Sequence, residues 1–274
     1  MTLRYAIIGN PVAHSKSPEI HAAFALQTGI DLCYERILAP PDGFRATVEA
    51  FRACGGRGAN VTLPFKLDAF DYATVVSNRA RDAGAVNTLV FDATRVFGDN
   101  TDGVGLVKDM RDNLNCAIAG KRVLIAGAGG AARGVIGPLL AEGPAVIAVS
   151  NRTTSKADEL VQRYRPAGNI IAILIADLPR YQFDIVINAT AASLGNDLPV
   201  IPRSAFAEGS LAYDMMYGKA LTPFLALGKQ SGASVADGLG MLVEQAAESF
   251  LIWHGVRPHT EAVFRQLRLS APLN

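Results

Sequence analysis

Apolar residues along this chain follow two patterns: short continuous runs, and longer stretches with apolar positions recurring about every 3.6 residues. The first run covers residues 5–8 and stops at Gly9-Asn10-Pro11, as a buried strand would. A helix is expected next, with Ser17 as N-cap, Pro18 in the first turn, and Ala22, Ala23, Phe24 and Leu26 behind them. Residues 32–38 read as a second strand, and a helix runs from Asp42 to about Cys54. Beyond the glycine loop 55–58, residues 59–62 form a short strand. One helix is then expected over 68–80, followed by strands 86–91 and 95–97 joined by a turn at Asp92.

From Asp102 onward the alternation becomes regular. Helix 103–113 leads to strand 122–126, helix 131–142, strand 145–149, helix 155–163 and strands 170–175 and 185–188. Repeated β-α-β alternation argues for a parallel, doubly wound sheet. Near the end, Leu239, Leu242, Val243, Ala246, Ala247, Phe250 and Leu251 recur at helical spacing.

Composition narrows this little. The 274 residues are comfortable for two domains, and half of them are hydrophobic. With 26 basic and 25 acidic residues the net charge is +1, which gives no reason to expect nucleic acid or a membrane surface as partner. Cys33, Cys54 and Cys116 are scattered and lack CxxC spacing, so neither a disulfide framework nor a zinc site is expected. The four histidines offer no ligand spacing, and no metal is expected. The first apolar run is too short for a secretory signal, and no run approaches the ~20 apolar residues of a membrane span. A cytoplasmic, reducing location is expected.

Gly127-Ala128-Gly129-Gly130-Ala131-Ala132 fits G-x-G-x-x-A, directly after a strand and before a helix. Taken alone the motif also suits a structural turn. In this setting the glycines let backbone amides approach a pyrophosphate, and the helix N-terminus adds partial positive charge. An NAD site places an acid about 20 positions further on, for the ribose 2′-hydroxyl. Here the next strand ends in Ser150-Asn151-Arg152-Thr153, with Lys156 close behind and no acid. Arg152 can fork onto a 2′-phosphate and Lys156 adds charge, which points to NADP. The plainer alternative is an N-cap at Thr153 or Thr154 beside solvated basic residues.

Four polar clusters lie at strand ends, where open α/β sheets keep their ligands. They are residues 9–18, with Ser15 and Ser17 at a helix start, 60–66, 84–88 and 98–105. Hydroxyls at a helix N-terminus suit a carboxylate, or they simply cap the helix. Amides and hydroxyls with one Lys and one Asp suit a polyhydroxylated ring that exchanges a proton.

Together these segments resemble the shikimate dehydrogenase family. The resemblance rests on Asn10-Pro11 with His14-Ser15-Lys16-Ser17-Pro18, Asn60-Val61-Thr62 with Pro64 and Lys66, Gly84-Ala85-Val86-Asn87-Thr88, and Gly98-Asp99-Asn100-Thr101-Asp102-Gly103. It continues through the glycine loop, Asn151-Arg152-Thr153, Tyr213-Asp214-Met215-Met216-Tyr217 with Thr222-Pro223-Phe224, and 237–246, so it runs nearly end to end. It implies an α/β fold with an N-terminal α/β substrate domain, residues 1–101 with 238–274. A Rossmann-type doubly wound cofactor domain, 102–237, completes it. It implies NADP-dependent interconversion of shikimate and 3-dehydroshikimate, in a monomer or homodimer.

By position, the resemblance implies Ser15 and Ser17 on the substrate carboxylate, and Thr62, Asn87 and Gln245 on ring hydroxyls, with Tyr217 also reaching the substrate. Lys66 and Asp102 form the implied catalytic pair. Gly127, Ala128, Gly129, Gly130 and Ala131 carry the pyrophosphate, and Asn151, Arg152, Thr153 and Lys156 the adenosine phosphate. Thr190, Met215 and Gly238 line the nicotinamide end. One departure is Ala191-Ala192-Ser193, where the family often has Ser directly after Thr190. Which of Lys66 and Asp102 is the formal acid or base stays open, including a shared proton. Rival readings are a quinate or mixed-substrate paralogue using NAD, and a non-catalytic NADP sensor.

Overall fold

The computed structural model describes residues 2–190, 200–218 and 221–270. The chain divides into two compact units, Met1–Gly105 with Leu242–Val263 and Leu106–Met241 with Phe264–Asn274.

The first unit is built on strands β1 (Leu3–Gly9), β2 (Leu32–Leu38), β3 (Gly56–Val61), β4 (Val75–Val76), β5 (Thr88–Phe91) and β6 (Val96–Asp99). Its helices are α1 (Ser17–Thr28), α2 (Phe44–Ala53), α3 (Lys66–Tyr72) and α4 (Asn78–Ala83). The sheet order is β2-β1-β3-β5-β6-β4. β1 runs parallel to β2 and β3, whereas β5 is antiparallel to both β3 and β6. This mixed topology has one large consequence. The C-terminal ends of β1, β3 and β6 and the N-terminal end of β5 all lie at one edge of the sheet. Asn60 opposes Thr88, and Thr88 opposes Asp99. Four polar clusters far apart in sequence therefore meet there.

The second unit holds β7 (Arg122–Ala126), β8 (Val146–Ser150), β9 (Ile170–Ala172), β10 (Phe183–Asn188), β11 (Phe206–Asp214) and β12 (Ser234–Asp237). α6 (Gly130–Ala141), α7 (Thr154–Tyr164) and α8 (Pro223–Gln230) accompany them. All strands are parallel, in the order β12-β11-β10-β7-β8-β9. That is the doubly wound order expected from the alternation. Val123 and Ile125 of β7 pack into one core, while Leu124 and Ala126 pack into another on the opposite face. Burial on both faces explains why these strands read as continuous apolar runs.

Three helices carry the crossings or the tail: α5 (Asp102–Lys108), α9 (Leu239–His254) and α10 (Glu261–Ser270). The division after Gly105 falls inside α5 and that after Met241 inside α9. The tail 238–274, expected with the first unit, is shared. Residues from Phe264 onward group with the second unit, where Arg268 forks onto buried Asp237 at 3.1 and 2.5 Å.

Some local expectations change. The single helix over 68–80 is two helices separated by β4. Thr74, Val75 and Val76 are β-branched, and Thr74 exchanges hydrogen bonds with Val96 instead of continuing the helix. Ser17 is not the N-cap of α1. Lys16 holds that position, and Ser17 is the first helical residue, buried, with its hydroxyl turned to Ser15. The helix from Asp102 keeps α geometry only to Lys108 and closes in a π-turn over Asp109–Asn113. Among the described residues, no helix is long and apolar enough to cross a membrane.

Candidate active site

At the polar edge of the first sheet, Lys66 opens α3 directly after the Thr62–Phe65 turn. Its carbonyl accepts from Val86 N, which ties α3 to the segment before β5. Asp102 opens α5, where Asn100 Oδ1 accepts from the Asp102 amide at 3.2 Å. The two side chains meet: Lys66 Nζ donates to Asp102 Oδ2 at 2.5 Å. The Lys66 side chain is 14% exposed and that of Asp102 7%, so the pair is mostly shielded from solvent.

The other carboxylate oxygen is also fixed. Asn87 Nδ2 donates to Asp102 Oδ1 at 2.8 Å and to Thr101 Oγ1 at 2.9 Å, with Gln245 Oε1 at 3.4 Å. Asn87 Oδ1 in turn accepts from Thr101 N at 2.8 Å and from the Thr88 hydroxyl at 2.9 Å. Both faces of this amide are thus assigned, and its orientation is determined by its neighbours.

A deeper layer supports it. Asn60, 3% exposed, accepts from Tyr34 Oη at 2.7 Å and donates to Ser249 Oγ at 2.9 Å and Thr88 Oγ1 at 3.1 Å. Burial pushes the Tyr34 hydroxyl well above the usual tyrosine range, so it stays protonated and donates. His21 stacks on Tyr34, with ring centroids 4.3 Å apart. Burial, aided by the nearby His254 and opposed by Asn60, pushes His21 down to about 3.

At the end of β1, Ser15 Oγ donates to Ser17 Oγ at 3.1 Å. Arg36 holds the Ser15 carbonyl from two nitrogens, at 2.9 and 2.6 Å, and also pairs with Glu19 at 2.7 Å. Thr62 follows β3 at the same edge. A Cβ on Gly9 would overlap the Thr62 methyl, so this close approach of β1 and the Thr62 turn requires glycine.

In the second unit, the glycine loop follows β7 at the point where the strand order reverses. Gly127 has φ +112, and its amide donates to Ser150 O at 2.8 Å. A Cβ there would stand 3.1 Å from the Ala189 carbonyl. Gly129 is different: a Cβ on it would meet nothing within 4 Å, and it is the N-cap of α6. Open space at a helix N-terminus of twelve residues is a cradle for an anion. After β8, Asn151 Nδ2 donates to Thr153 O at 2.9 Å and shapes the turn. Thr153 is the N-cap of α7, but its hydroxyl makes no capping bond. Arg152, Thr153 and Lys156 are all exposed. These features fit a phosphorylated adenosine ribose.

Thr190, Met215 and Gly238 come together after β10, β11 and β12. Thr190 Oγ1 donates to Asn188 Oδ1 at 2.7 Å, Met215 N donates to Asn188 O at 3.0 Å, and Gly238 N donates to Met216 O at 3.0 Å. Buried Asp214 orients Asn188 by accepting from its Nδ2 at 3.1 Å. Tyr217 is half-buried in the segment after β11. The departure at Ala191-Ala192-Ser193 lies outside the described residues.

The family model for the shikimate dehydrogenase substrate-binding domain matches residues 7–89. That for shikimate / quinate 5-dehydrogenase matches 109–211, and that for the shikimate 5′-dehydrogenase C-terminal domain 238–268. The chain belongs to the shikimate dehydrogenase family. The shikimate dehydrogenase (NADP(+)) of Nitrosospira multiformis is 59% identical over 267 residues, 97% of each chain. Among solved structures, the Ael1 enzyme from Pseudomonas putida is 46% identical, with a TM-score of 0.91 over 97% of this chain and 98% of that one. The shikimate 5-dehydrogenase of Thermus thermophilus, in complex with NADP(H) and shikimate, is 32% identical, with a TM-score of 0.87 over 98% of this chain and all of that one (100%).

For this shikimate dehydrogenase family member, sequence reasoning assigned no role to Asn60, Thr101 or Ser249. A signal existed for Ser249. It lies four residues after Gln245, on the same face of α9, where a run of apolar residues is interrupted.

Proposed function

We propose that the protein interconverts shikimate and 3-dehydroshikimate with NADP, within the biosynthesis of aromatic amino acids. The observation that carries this reading is the Lys66–Asp102 pair, closed at 2.5 Å with the second Asp102 oxygen held by Asn87. The near end-to-end likeness to a relative named for this activity supports it. The first unit is the substrate domain and the second the cofactor domain.

Reducing a ring ketone leaves an oxygen that gains negative charge and must take a proton. An ammonium has three donor hydrogens. Asp102 engages one on Lys66 and fixes its direction, which leaves others for the substrate oxygen. Lys66 therefore both stabilises that oxygen and supplies its proton, and in the reverse direction receives it. Asn87 keeps Asp102 in place and reaches a ring hydroxyl by giving up its hydrogen bond to the Thr101 hydroxyl, and Gln245 and Thr62 offer groups to the ring hydroxyls as well. Ser15 and Ser17, at the N-terminal end of α1, take the carboxylate. Tyr217 contributes a further contact to the substrate.

When bound, the reduced cofactor would supply the hydride for ketone reduction from C4 of its nicotinamide, and the oxidised cofactor would accept it there in the reverse direction. Amides of the Gly127–Ala131 loop hold its pyrophosphate, Arg152 and Lys156 pair with the 2′-phosphate, and Asn151 and Thr153 complete that end. Thr190, Met215 and Gly238 border the nicotinamide. The three cysteines are free, which suits a reducing cytoplasm.

The test is initial-rate absorbance of nicotinamide reduction, with shikimate or quinate against NADP⁺ or NAD⁺. Strong turnover with shikimate and NADP⁺ alone is the expected result. Turnover that prefers quinate or NAD⁺ would replace the substrate or cofactor assignment. Silence in every combination, with NADP⁺ still bound, would remove the catalytic reading.

A further inference from the structure

Asp102, Asn87 and Gln245 reach one point from three separate segments. A hydrogen-bonded site loses much of its effect if its groups are displaced by even about 1 Å, so something must hold those segments in register. Beside the site lies an ion cluster whose side chains make no hydrogen bond to the side chains assigned to substrate. Arg79 of α4 forks onto Asp99, with Nε to Oδ1 at 2.7 Å and a terminal nitrogen to Oδ2 at 2.9 Å. Its remaining nitrogen donates to Glu248 Oε1 on α9 at 3.0 Å.

We propose that Arg79 is a positioning residue that sets the place of Asp102 through Asp99 and the place of Gln245 through Glu248. This rests on the catalytic reading of Lys66 and Asp102 given above. The path is continuous. Asp99 Oδ1 also accepts from Asn100 N at 2.7 Å and from the Ser77 hydroxyl at 2.5 Å. Asn100 then donates to Ala85 O at 3.0 Å and accepts from Asp102 N at 3.2 Å, which fixes the first turn of α5. The Asp99 carbonyl accepts from Asn87 N at 3.0 Å, so the same residue also seats the amide that holds Asp102. On the other arm, Glu248 is three residues from Gln245 and adjacent to Ser249, whose hydroxyl meets Asn60 and Thr88. Arg257 supports Glu248 from the far side at 2.5 Å.

Geometry requires a fork at this position and not merely a charge. The planar guanidinium spends two nitrogens on Asp99 and a third on Glu248. A lysine ammonium at the same position is a single point that cannot span both acids.

Three variants test it: Arg79→Gln, Arg79→Lys and Asp99→Asn, each measured for kcat, KM for shikimate, Kd for NADP⁺ and amide exchange over residues 99–102. In Arg79→Gln we expect kcat to fall about tenfold or more while the NADP⁺ Kd stays within about twofold. Amide exchange over 99–102 should quicken. Arg79→Lys should recover melting temperature but little of kcat, and Asp99→Asn should resemble Arg79→Gln. A folded Arg79→Gln with kcat within about twofold of the parent would overturn the proposal, as would full recovery of kcat in Arg79→Lys. Should the parent itself fail to turn over shikimate, the catalytic reading falls. The exchange rates still decide the positioning claim, and unchanged protection over 99–102 in a folded Arg79→Gln would end it.

Discussion

The two candidate sites of this molecule are built on opposite plans. In the first unit, side chains bond to side chains in a closed, buried set: Lys66 to Asp102, Asp102 to Asn87, Asn87 to Thr101 and Thr88, and Thr88 to Ser249 and Asn60. In the second, the backbone does most of the work. A glycine loop, the N-terminus of α6 and exposed Arg152, Thr153 and Lys156 make up the surface. The difference teaches where sensitivity lies. A buried network spreads any single loss to its neighbours, because each abandoned group stays away from water. An exposed or backbone-built site confines the loss to the contact removed.

The largest effect should come from the heart of the buried set. Replacing Lys66 with Ala is expected to lower kcat by about 10²–10⁴-fold, the usual contribution of a general acid–base group. Shikimate affinity should change less. A folded Lys66→Ala enzyme with near-normal turnover would take Lys66 out of the catalytic role. Next comes Asn87→Ala, which strands Asp102 Oδ1 and Thr101 N at once, while the Thr88 hydroxyl keeps Ser249 and Asn60. At about 1–3 kcal/mol for each buried group left unpaired, with partial rearrangement, a loss near 3 kcal/mol of stability is expected in urea unfolding. Combined with Gln245→Ala, the two losses should fail to add by about 0.5–3 kcal/mol. Strict additivity would mean that the set is not a network.

The two plans also differ in how far they could be read from sequence. Strand and helix alternation showed that the second unit's sheet is parallel and doubly wound, because a parallel sheet buried on both faces writes itself as apolar runs. Its glycine loop was legible for a related reason: close backbone approach demands a residue without a side chain, and glycine states that directly. β11 escaped, since Glu208-Gly209-Ser210 breaks its apolar run and Gly209 takes φ +67. In the first unit the polar clusters were visible, but their convergence was not. It depends on β5 running antiparallel to β3, a pairing no local pattern encodes. Asn60 and Ser249 meet across 189 residues, so Asn60 could not be given a role from its own surroundings, and Ser249 had only its spacing from Gln245 on α9 to mark it.

The exposed plan makes its own demand. Arg152→Ala should weaken NADP⁺ by about 10–100-fold, since hydrogen bonds to charged groups contribute about 1.5–3 kcal/mol. NAD⁺ binding should hardly change, and fold stability not at all. Equal loss for both cofactors would remove Arg152 from the 2′-phosphate. Beneath the buried set, His21 gives a pH signature that the exposed plan lacks. Its folded pKa, about 3, lies below the ordinary value near 6.5. Between those values the unfolded chain takes up a proton that the folded one refuses, so stability falls as pH falls. By pH 5 this amounts to about 2 kcal/mol relative to pH 8. In His21→Phe, which retains a ring against Tyr34, the acid-side slope of stability should flatten relative to the parent. Equal slopes would show that His21 titrates normally in the folded protein.

The smallest effect sharpens the contrast most, because it separates binding from folding within one loop. Gly127 and Gly129 both belong to the glycine motif, yet they serve different needs. Gly127 sits at φ +112 against the Ala189 carbonyl, so alanine there strains the backbone whatever is bound. Gly129 has φ −85 and empty space where a Cβ would stand. Nothing in the protein itself asks for glycine at that position, so the demand comes from what approaches it. Gly129→Ala is therefore expected to melt close to the parent temperature, since the lower entropy of the unfolded chain offsets alanine's weaker fit at a helix N-cap. The same methyl should hold a pyrophosphate off the amides of α6 and raise the NADP⁺ Kd by about tenfold. Titration calorimetry beside thermal unfolding measures both. Unchanged NADP⁺ binding in a stable Gly129→Ala protein would mean that the pyrophosphate does not lie over this glycine, and the cradle would have to be sought elsewhere along the β7 and β10 strand ends.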